Sequence, residues 1–218
     1  QPYCSVTPIR NEWLTSKPNK SILLLNLNNE EHKMPNYCSN HLYIKHQDPE
    51  MMKAVEEAAN AEELFQRFIP VPEALLNTIK GSFGDPEEQA ALNRKCEENM
   101  REYGYPTWYE FCYDQWGTKW DICDASVSRI GDKVFVDFTT AWSPPLAFYD
   151  TMVKDLGFEI TAYYYEPGCA FCGMYEDGDN IDYDISGGSN WISENIPSDI
   201  DTEMNISESM QEWEYEEE

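Results

Sequence analysis

Two short motifs, WGTKWD at residues 116–121 and TAWSPP at residues 140–145, hold side chains that could form a binding site. Tryptophan buries a large area at a small cost in conformational entropy, and a nearby lysine and carboxylate would add polar contacts. With a glutamate from a third motif they form the candidate binding patch: Trp116, Lys119, Trp120, Asp121, Trp142, Ser143 and Glu166. The alternative is that the indoles pack in the core, that Lys119 pairs with Asp121, and that Ser143 caps a helix.

The same ends of the chain carry carboxylates, but their spacing defines no catalytic group. Asp48, Asp121 and Glu166 would form an acidic group only if the fold brought them together, and lone carboxylates are usually surface or capping groups. The histidines show neither metal-ligand spacing nor a neighbouring nucleophile motif: His32, His41 and His46. We predict no catalytic residue, and a small-molecule pocket or an enzyme site at the ends of the two motifs stays as the alternative.

The seven cysteines are odd in number and scattered, which fits reduced thiols in a cytoplasm better than a disulfide framework. Cys169 and Cys172 form a CxxC pair, which Cys112 and Cys123 could complete as a site. A structural zinc ion needs four ligands, however, and in a strand the two CxxC sulfurs would face opposite sides. Four aspartates also miss the spacing of a calcium-binding EF-hand loop: Asp177, Asp179, Asp182 and Asp184. We therefore predict no metal and no cofactor.

Charge is distributed very unevenly along the chain. Its 218 residues include 41 Asp or Glu and 15 Lys or Arg, for a net charge of −26. Lys154 is the last basic residue, and residues 155–218 hold eighteen carboxylates and no Lys, Arg or His. Such a block repels nucleic acid, whose backbone is bound by Lys and Arg, and it attracts basic proteins or cations. We therefore predict a basic protein as partner and no direct binding of nucleic acid.

Alternating apolar residues predict the strands that position these motifs. The alternation occurs at residues 42–46, 134–138 and 158–164, with a further strand expected at 170–174. The Gly131-Asp132 pair between two alternating runs predicts a hairpin.

Helix starts are marked by capping residues. Asp48-Pro49 and Ser143-Pro144 combine an N-cap with a proline at the first helical position, and Asp85 and Thr107 begin capping boxes. The order strand, helices, strand, strand, helix, strand predicts an α+β fold. Specifically, we expect a ferredoxin-like split βαβ antiparallel sheet with helices on one face and a helical insertion after the first helix.

The chain divides into three predicted regions. Residues 1–33, interrupted by prolines, form an N-terminal extension that need not belong to the module, and residues 34–176 form the domain, with the insertion at about 80–104. Residues 177–218 form an acidic, largely irregular tail. No apolar run is long enough for a membrane span or a signal peptide.

Two tryptophans interrupt the charges of the acidic tail. Trp191 and Trp213 are apolar anchors that a merely solubilising tail does not need. They favour a segment that docks on its own module or orders on a partner. The alternative, a disordered solubilising tail, is typical of such a composition.

Four motifs occur in a fixed order along the middle of the chain. They are MPNYCSN at residues 34–40, WGTKWD, TAWSPP and YEPG at residues 165–168. Together, over residues 34 to about 175, they resemble the YubB ferredoxin-like family of plasmid and bacteriophage proteins. The resemblance implies a mobile-element protein in a bacterial cytoplasm, with no settled enzymatic activity. The word ferredoxin describes its fold and not an iron–sulfur cluster.

These observations lead to one leading prediction of function. The chain is expected to be a non-enzymatic phage or plasmid protein that binds, and inhibits, a basic host protein such as a defence or nucleic-acid-processing factor. Acidic side chains would imitate phosphates and occupy the basic groove of that partner. The alternatives are the small-molecule or enzyme pocket and an oligomer built by edge-strand pairing. The oligomeric state stays unknown at this level.

Overall fold

A six-stranded antiparallel sheet organises this computed structural model, which describes residues 36–82 and 84–216. The predicted extension at residues 1–33 lies outside the described residues. The strands lie in the order β2-β3-β1-β4-β5-β6, and every neighbouring pair is antiparallel. Their bounds are β1 (Tyr37–Lys45), β2 (Cys123–Ile130), β3 (Lys133–Ala141), β4 (Glu159–Glu166), β5 (Phe171–Glu176) and β6 (Asp179–Asp184). The predicted antiparallel sheet is confirmed, and β5 occurs where a further strand was expected.

Helices connect the strands and follow the last of them. Within the described ranges they are α1 (Pro49–Asn60), α2 (Leu64–Phe68), α3 (Glu73–Leu76), α4 (Pro86–Tyr103), α5 (Trp108–Gln115), α6 (Leu146–Lys154), α7 (Ser189–Asn195), α8 (Ser198–Met204) and α9 (Ile206–Glu216). None of them is long and apolar enough to span a membrane.

Most of the predicted helix starts are confirmed. Asp48 accepts a hydrogen bond from the N–H of Glu50 at 2.9 Å, and the side chains of Asp85 and Thr107 cap α4 and α5 in the same way. Ser143 is an exception, because α6 begins after Pro145 without a side-chain cap. The prediction that Ser143 caps this helix was therefore wrong, and its hydroxyl has a different partner, described below.

The main core lies on one face of the sheet, here called the front face. Leu42 and Ile44 of β1, Val136 of β3, and Ile160 and Ala162 of β4 all point to it and are buried. Their alternate positions in the sequence are those that a strand directs to one side. Helices α1, α2, α3, α5 and α6 contribute further buried side chains to this core.

A second core lies on the opposite, back face of the sheet. Tyr163 and Tyr165 occupy the positions of β4 that alternate with the front-face residues, and they pack against apolar side chains of α7, α8 and α9. These three helices are named the tail helices. The buried residues of this second core are Cys172, Ile185, Ile192, Ile196, Ile200, Met204 and Ile206.

The tail helices correct two expectations. Helices cover both faces of the sheet, not one, and residues 177–218 contain β6 and three helices where a largely irregular tail was predicted. The reason is that Ile192 of α7, Ile196 at the junction after it and Ile200 of α8 are all buried in the second core, so the acidic segment has apolar side chains to remove from water. Composition favoured an irregular tail, whereas the apolar anchors within the acidic segment favoured a tail that docks on its own module, as it does here.

Candidate functional site

The four sequence motifs meet at one end of the sheet, which we call the motif junction. The N–H of Trp142 donates to the carbonyl oxygen of Asn36 at 2.9 Å. The Asn36 side chain donates to Cys169 Sγ at 3.6 Å and lies so close to Gly168 that a Cβ there would be 2.2 Å from Asn36 Nδ2. The glycine of YEPG therefore leaves room for a side chain of MPNYCSN.

A second set of contacts joins WGTKWD to TAWSPP. Ser143 Oγ donates to the carbonyl oxygen of Gly117 at 2.7 Å, and Thr118 Oγ1 donates to that of Ala141 at 2.9 Å. Gly117 has a positive φ of 85°, and a Cβ there would lie 3.1 Å from the backbone nitrogen of Leu146. Close backbone approach at the start of α6 explains why this residue is glycine.

Trp116 is a core residue and not part of a surface. It is fully buried, and its indole Nε1 donates to the carbonyl oxygen of Ile69 at 2.9 Å. Its ring packs 5.6 Å from that of Phe65 and 6.4 Å from that of Phe111. A buried indole with its N–H satisfied stabilises the fold and is unavailable to a partner.

Asp121 caps a helix that lies far away in the sequence. Its Oδ1 accepts from the N–H of Phe65 at 2.9 Å and its Oδ2 from that of Gln66 at 2.8 Å, at the start of α2. It also accepts from the N–H of Ile122 at 2.9 Å. Burial raises its pKa to about 7, because the charged form is desolvated, although the three N–H donors oppose this shift. This carboxylate is structural.

Glu166 is buried beside Cys38 on the front face. The N–H of Cys169 donates to Glu166 Oε2, while Oε1 is buried without a hydrogen-bond partner. Burial, and next the charge of Glu166, raise the pKa of the Cys38 thiol. Asn40 Oδ1 and Tyr149 Oη are likewise buried and unpaired. The region is an internal polar cluster and offers no open surface to a substrate.

Only part of the predicted patch is accessible. Trp142 is 44% exposed, whereas Trp116, Asp121 and Glu166 are buried. Trp120 is half-buried, and the ammonium group of Lys119 lies over its ring at 5.1 Å from the centroid. The elements that carry the seven predicted residues thus meet at the motif junction. Among the aromatic residues of the patch, Trp142 is the most exposed.

Several carboxylates of the tail helices hold the tail in place. Glu203 of α8 accepts from the hydroxyl of Tyr43 at 2.5 Å and lies 3.2 Å from His41 Nδ1. Asp201 accepts from both the N–H and the hydroxyl of Ser207, each at 2.8 Å, at the start of α9. These contacts fix α8 on the back face and α9 after it.

Glu214 joins the last helix to the first of the three. It accepts from the N–H and the hydroxyl of Ser189 at 2.9 and 2.7 Å. These bonds lower the pKa of Glu214. Some carboxylates of the tail helices therefore accept hydrogen bonds from residues of the same segment and stabilise its fold.

Other carboxylates of the same segment are exposed on folded backbone. They lie on β6 and on the tail helices, downstream of the last basic residue: Asp179, Asp182, Asp184, Glu194, Asp199, Glu208 and Glu212. Because their backbones are strand and helix, these charges are held in fixed relative positions. The side chains of Asp182 and Asp184 lie on the front-face side of β6, whereas the helical carboxylates lie on the back-face side. Together these carboxylates are named the candidate acidic docking surface.

The two tryptophan anchors have different outcomes. Trp191 packs against the second core, and a Cβ on Gly187 would lie 2.5 Å from its side chain. The side chain of Trp213 lies outside the part of the chain that the structure describes.

Sequence reasoning missed His41 and Tyr43 as contact residues of the tail. Alternation along β1 would have directed both to the back face. Their partner, Glu203, is 160 residues or more away in the sequence, and no local pattern pointed to it.

The cysteines do not assemble a metal site in the described residues, where no three His, Cys, Asp or Glu side chains converge as ligands. Cys169 is exposed at a turn and Cys172 is buried in the second core, so the CxxC pair faces two environments. A surface groove of about 430 Å³ is lined by Cys96, Met100 and Pro106 among others, and includes none of the predicted patch residues.

Comparisons with known proteins concern the C-terminal part of the chain most directly. Residues 115–209 match the sequence profile of the ferredoxin-like domain in Api92-like protein. No curated protein sequence matches the chain. The crystal structure of a protein api92 from Yersinia pseudotuberculosis is 13% identical, with a TM-score of 0.37, over 71% of this chain and 99% of that one. Residues 115–209, from the end of α5 into α9, are thus similar to the ferredoxin-like domain of Api92-like proteins.

Proposed function

We propose that this chain is a non-enzymatic interaction protein that binds a basic host protein through its acidic docking surface and thereby inhibits it. The observation that carries the proposal is that the exposed carboxylates of β6 and of the tail helices lie on folded backbone, with no basic residue after Lys154. Ordered carboxylates lose less conformational entropy on binding than those of a flexible tail, because their backbone is already fixed. A defence factor or a nucleic-acid-processing factor with a phosphate-binding groove is the fitting class of partner.

The proposal includes the narrower family and setting. The four motifs support membership of the YubB ferredoxin-like family, and with it a phage or plasmid protein in a bacterial cytoplasm. We further propose that β1, α1, β2, β3, α6 and β4 form the split βαβ unit, that residues 80–104 are an insertion in it, and that residues 1–33 are an extension outside it.

The two acidic residues of the patch are not positioned for catalysis, which argues against the enzyme alternative. Asp121 and Glu166 are buried and accept backbone hydrogen bonds at separate places, so neither is positioned to meet a substrate. A catalytic acid must come within hydrogen-bond reach of the group it protonates. We therefore propose no reaction for this site.

Capture of proteins from a bacterial lysate tests the proposal. Two variants that lose the same number of charges at different places separate the effect of charge position from that of net charge. The tail variant replaces six exposed carboxylates by amides: Asp182→Asn, Asp184→Asn, Glu194→Gln, Asp199→Asn, Glu208→Gln and Glu212→Gln. A matched control removes six exposed charges from other helices: Glu50→Gln, Glu57→Gln, Glu73→Gln, Glu88→Gln, Glu97→Gln and Glu98→Gln.

The wild-type chain and the matched control are expected to capture the same basic protein, which raised salt releases because charges are screened over about 8 Å at physiological ionic strength. The tail variant is expected to lose it. Recovery of no basic protein, equal capture by all three chains, or capture that salt leaves unchanged would each refute the proposal.

A further inference from the structure

Trp142 combines exposure with an unfavourable backbone conformation. Its φ is 69°, in the left-handed region that bulky residues rarely adopt, and 44% of the residue is exposed. Glycine or asparagine would occupy this conformation more readily. The turn itself does not explain a large indole at such a position. Backbone outliers of this kind often occur at binding sites, so a site for a partner is one explanation.

Hydrogen bonds on both sides hold the backbone of Trp142 rigidly. Its own N–H is bound by Asn36, as described, and the N–H of Ser143 donates to the carbonyl oxygen of Ala141 at 2.9 Å. Thr140 Oγ1 donates to the carbonyl oxygen of Ser143 at 2.8 Å. A second aromatic residue, Tyr37, lies opposite Ala141 in the β1–β3 register and is also 44% exposed. The sheet end therefore presents two neighbouring aromatic residues on fixed backbone.

Charge indicates which ligand fits these rings. A chain of net charge −26 attracts cationic segments, and the face of an indole binds cations as well. Among the described residues such contacts occur between Lys119 and Trp120 and between Lys80 and the ring of Tyr109, the latter at 4.7 Å. Arginine suits an aromatic face better than lysine, because its planar guanidinium group can stack and is more weakly hydrated.

We propose that Trp142, with Tyr37 beside it, is an anchor for arginine side chains of the basic partner. The inference rests on the proposed function and narrows its partner to an arginine-rich surface. The carboxylates would supply attraction that does not distinguish arginine from lysine, and the aromatic anchor would supply the preference for arginine.

Binding of two labelled peptides to the full chain tests the anchor. Fluorescence anisotropy is measured with fluorescein-labelled nona-arginine and with nona-lysine, which carries equal charge, at the same low salt concentration. The variants are Trp142→Gly and, as a second substitution that tolerates the left-handed conformation, Trp142→Asn. Trp142→Tyr keeps an aromatic ring, and circular dichroism shows whether each variant is folded.

Wild type is expected to bind nona-arginine more tightly than nona-lysine. Trp142→Gly and Trp142→Asn are expected to weaken nona-arginine binding by about two- to five-fold, the range of an exposed cation–π contact, with a smaller loss for nona-lysine and with Trp142→Tyr close to wild type. Unchanged nona-arginine binding in folded variants would overturn the anchor, as would failure of both variants to fold.

The proposed function fails separately from the anchor. If the tail variant binds nona-lysine as tightly as wild type does, the carboxylate surface is refuted, whatever Trp142 contributes. If the tail variant loses binding but the Trp142 variants keep the wild-type preference for nona-arginine over nona-lysine, the anchor alone is refuted.

Discussion

Several residues of the predicted patch are buried and stabilise the fold. Asp121 was predicted from its motif as part of a binding surface, yet it caps α2, which begins 57 residues earlier in the sequence. N-caps are normally recognised because they directly precede their helix. A cap supplied from a distant strand end leaves no local signal, so sequence alone could not assign this role.

Replacing Asp121 is expected to destabilise the fold strongly. Asp121→Ala leaves the N–H groups of Phe65, Gln66 and Ile122 without their acceptor, and each buried donor left unpaired costs about 1–3 kcal/mol. We expect a loss of about 2 kcal/mol or more in the free energy of unfolding, measured by urea denaturation. Glu98→Ala, on an exposed face of α4, should change it by no more than about 0.5 kcal/mol. Similar effects of the two substitutions would contradict the capping role.

The pH dependence of stability gives a second test of Asp121. Its pKa is about 7 in the folded protein, against 3.8 for an ordinary aspartate. Between these values the folded state holds a proton that the unfolded state releases, so this group lowers the free energy of unfolding as pH rises from about 4 to about 7. Asp121→Asn removes that contribution. Urea denaturation at pH 4.5 and pH 7 should therefore show a smaller decline for the variant than for wild type, and an equal decline would contradict the raised pKa.

At the scale of elements, the tail helices are the largest difference between prediction and structure. Strand alternation, the Gly131-Asp132 turn and most N-caps could be predicted because each is a local pattern. The docking of α7, α8 and α9 depends on pairing between distant parts of the chain, such as Glu203 with Tyr43. The strand β6 was also missed, since its aspartates are uncommon in strands.

Removing a buried anchor of the tail helices should release them locally. Ile200 is only 2% exposed in the second core, and Ile→Ala in a core costs about 2–5 kcal/mol. Ile200→Ala is expected to speed amide hydrogen exchange in α7, α8 and α9 while β1 and β3 stay protected. Ile181→Ala on β6, where the side chain is 50% exposed, is the control and should leave exchange in the helices unchanged. If Ile200→Ala had no effect on them, the packing of the tail would be in doubt.

The edge of the sheet depends on a glycine. Tyr164 donates to Asn180 Oδ1 at 2.9 Å across β5, and a Cβ on Gly173 would lie 2.3 Å from the tyrosine oxygen and 2.5 Å from the carbonyl oxygen of Ile181. Gly173→Ala should lower the free energy of unfolding by about 1–3 kcal/mol, as overpacking does.

Thermal denaturation compared with Gly81→Ala checks this, since Gly81 has open space around its Cβ position and should tolerate the change. A Gly173→Ala variant as stable as the Gly81→Ala variant would contradict the close packing of β5 between β4 and β6.

For the whole molecule, charge and fold are connected through the tail. Composition alone allowed a disordered acidic tail, because net charge says little about whether an amphipathic segment can dock. The docked helices instead hold their exposed carboxylates on the folded domain, while Asp201, Glu203 and Glu214 form bonds within it. Function could be predicted from sequence only as a class of partner, since a charged surface specifies sign and not identity.

The most direct test of the acidic docking surface is the footprint of the captured basic protein on this chain. Amide hydrogen exchange of the 218-residue chain would be compared with and without that protein at low salt. We expect added protection in β6 and in α7, α8 and α9, and at the motif junction around Trp142, with α1 and α4 unchanged. Protection confined to α1 and α4, or no protection in β6 and the tail helices, would contradict the claim that the folded acidic tail is the binding surface.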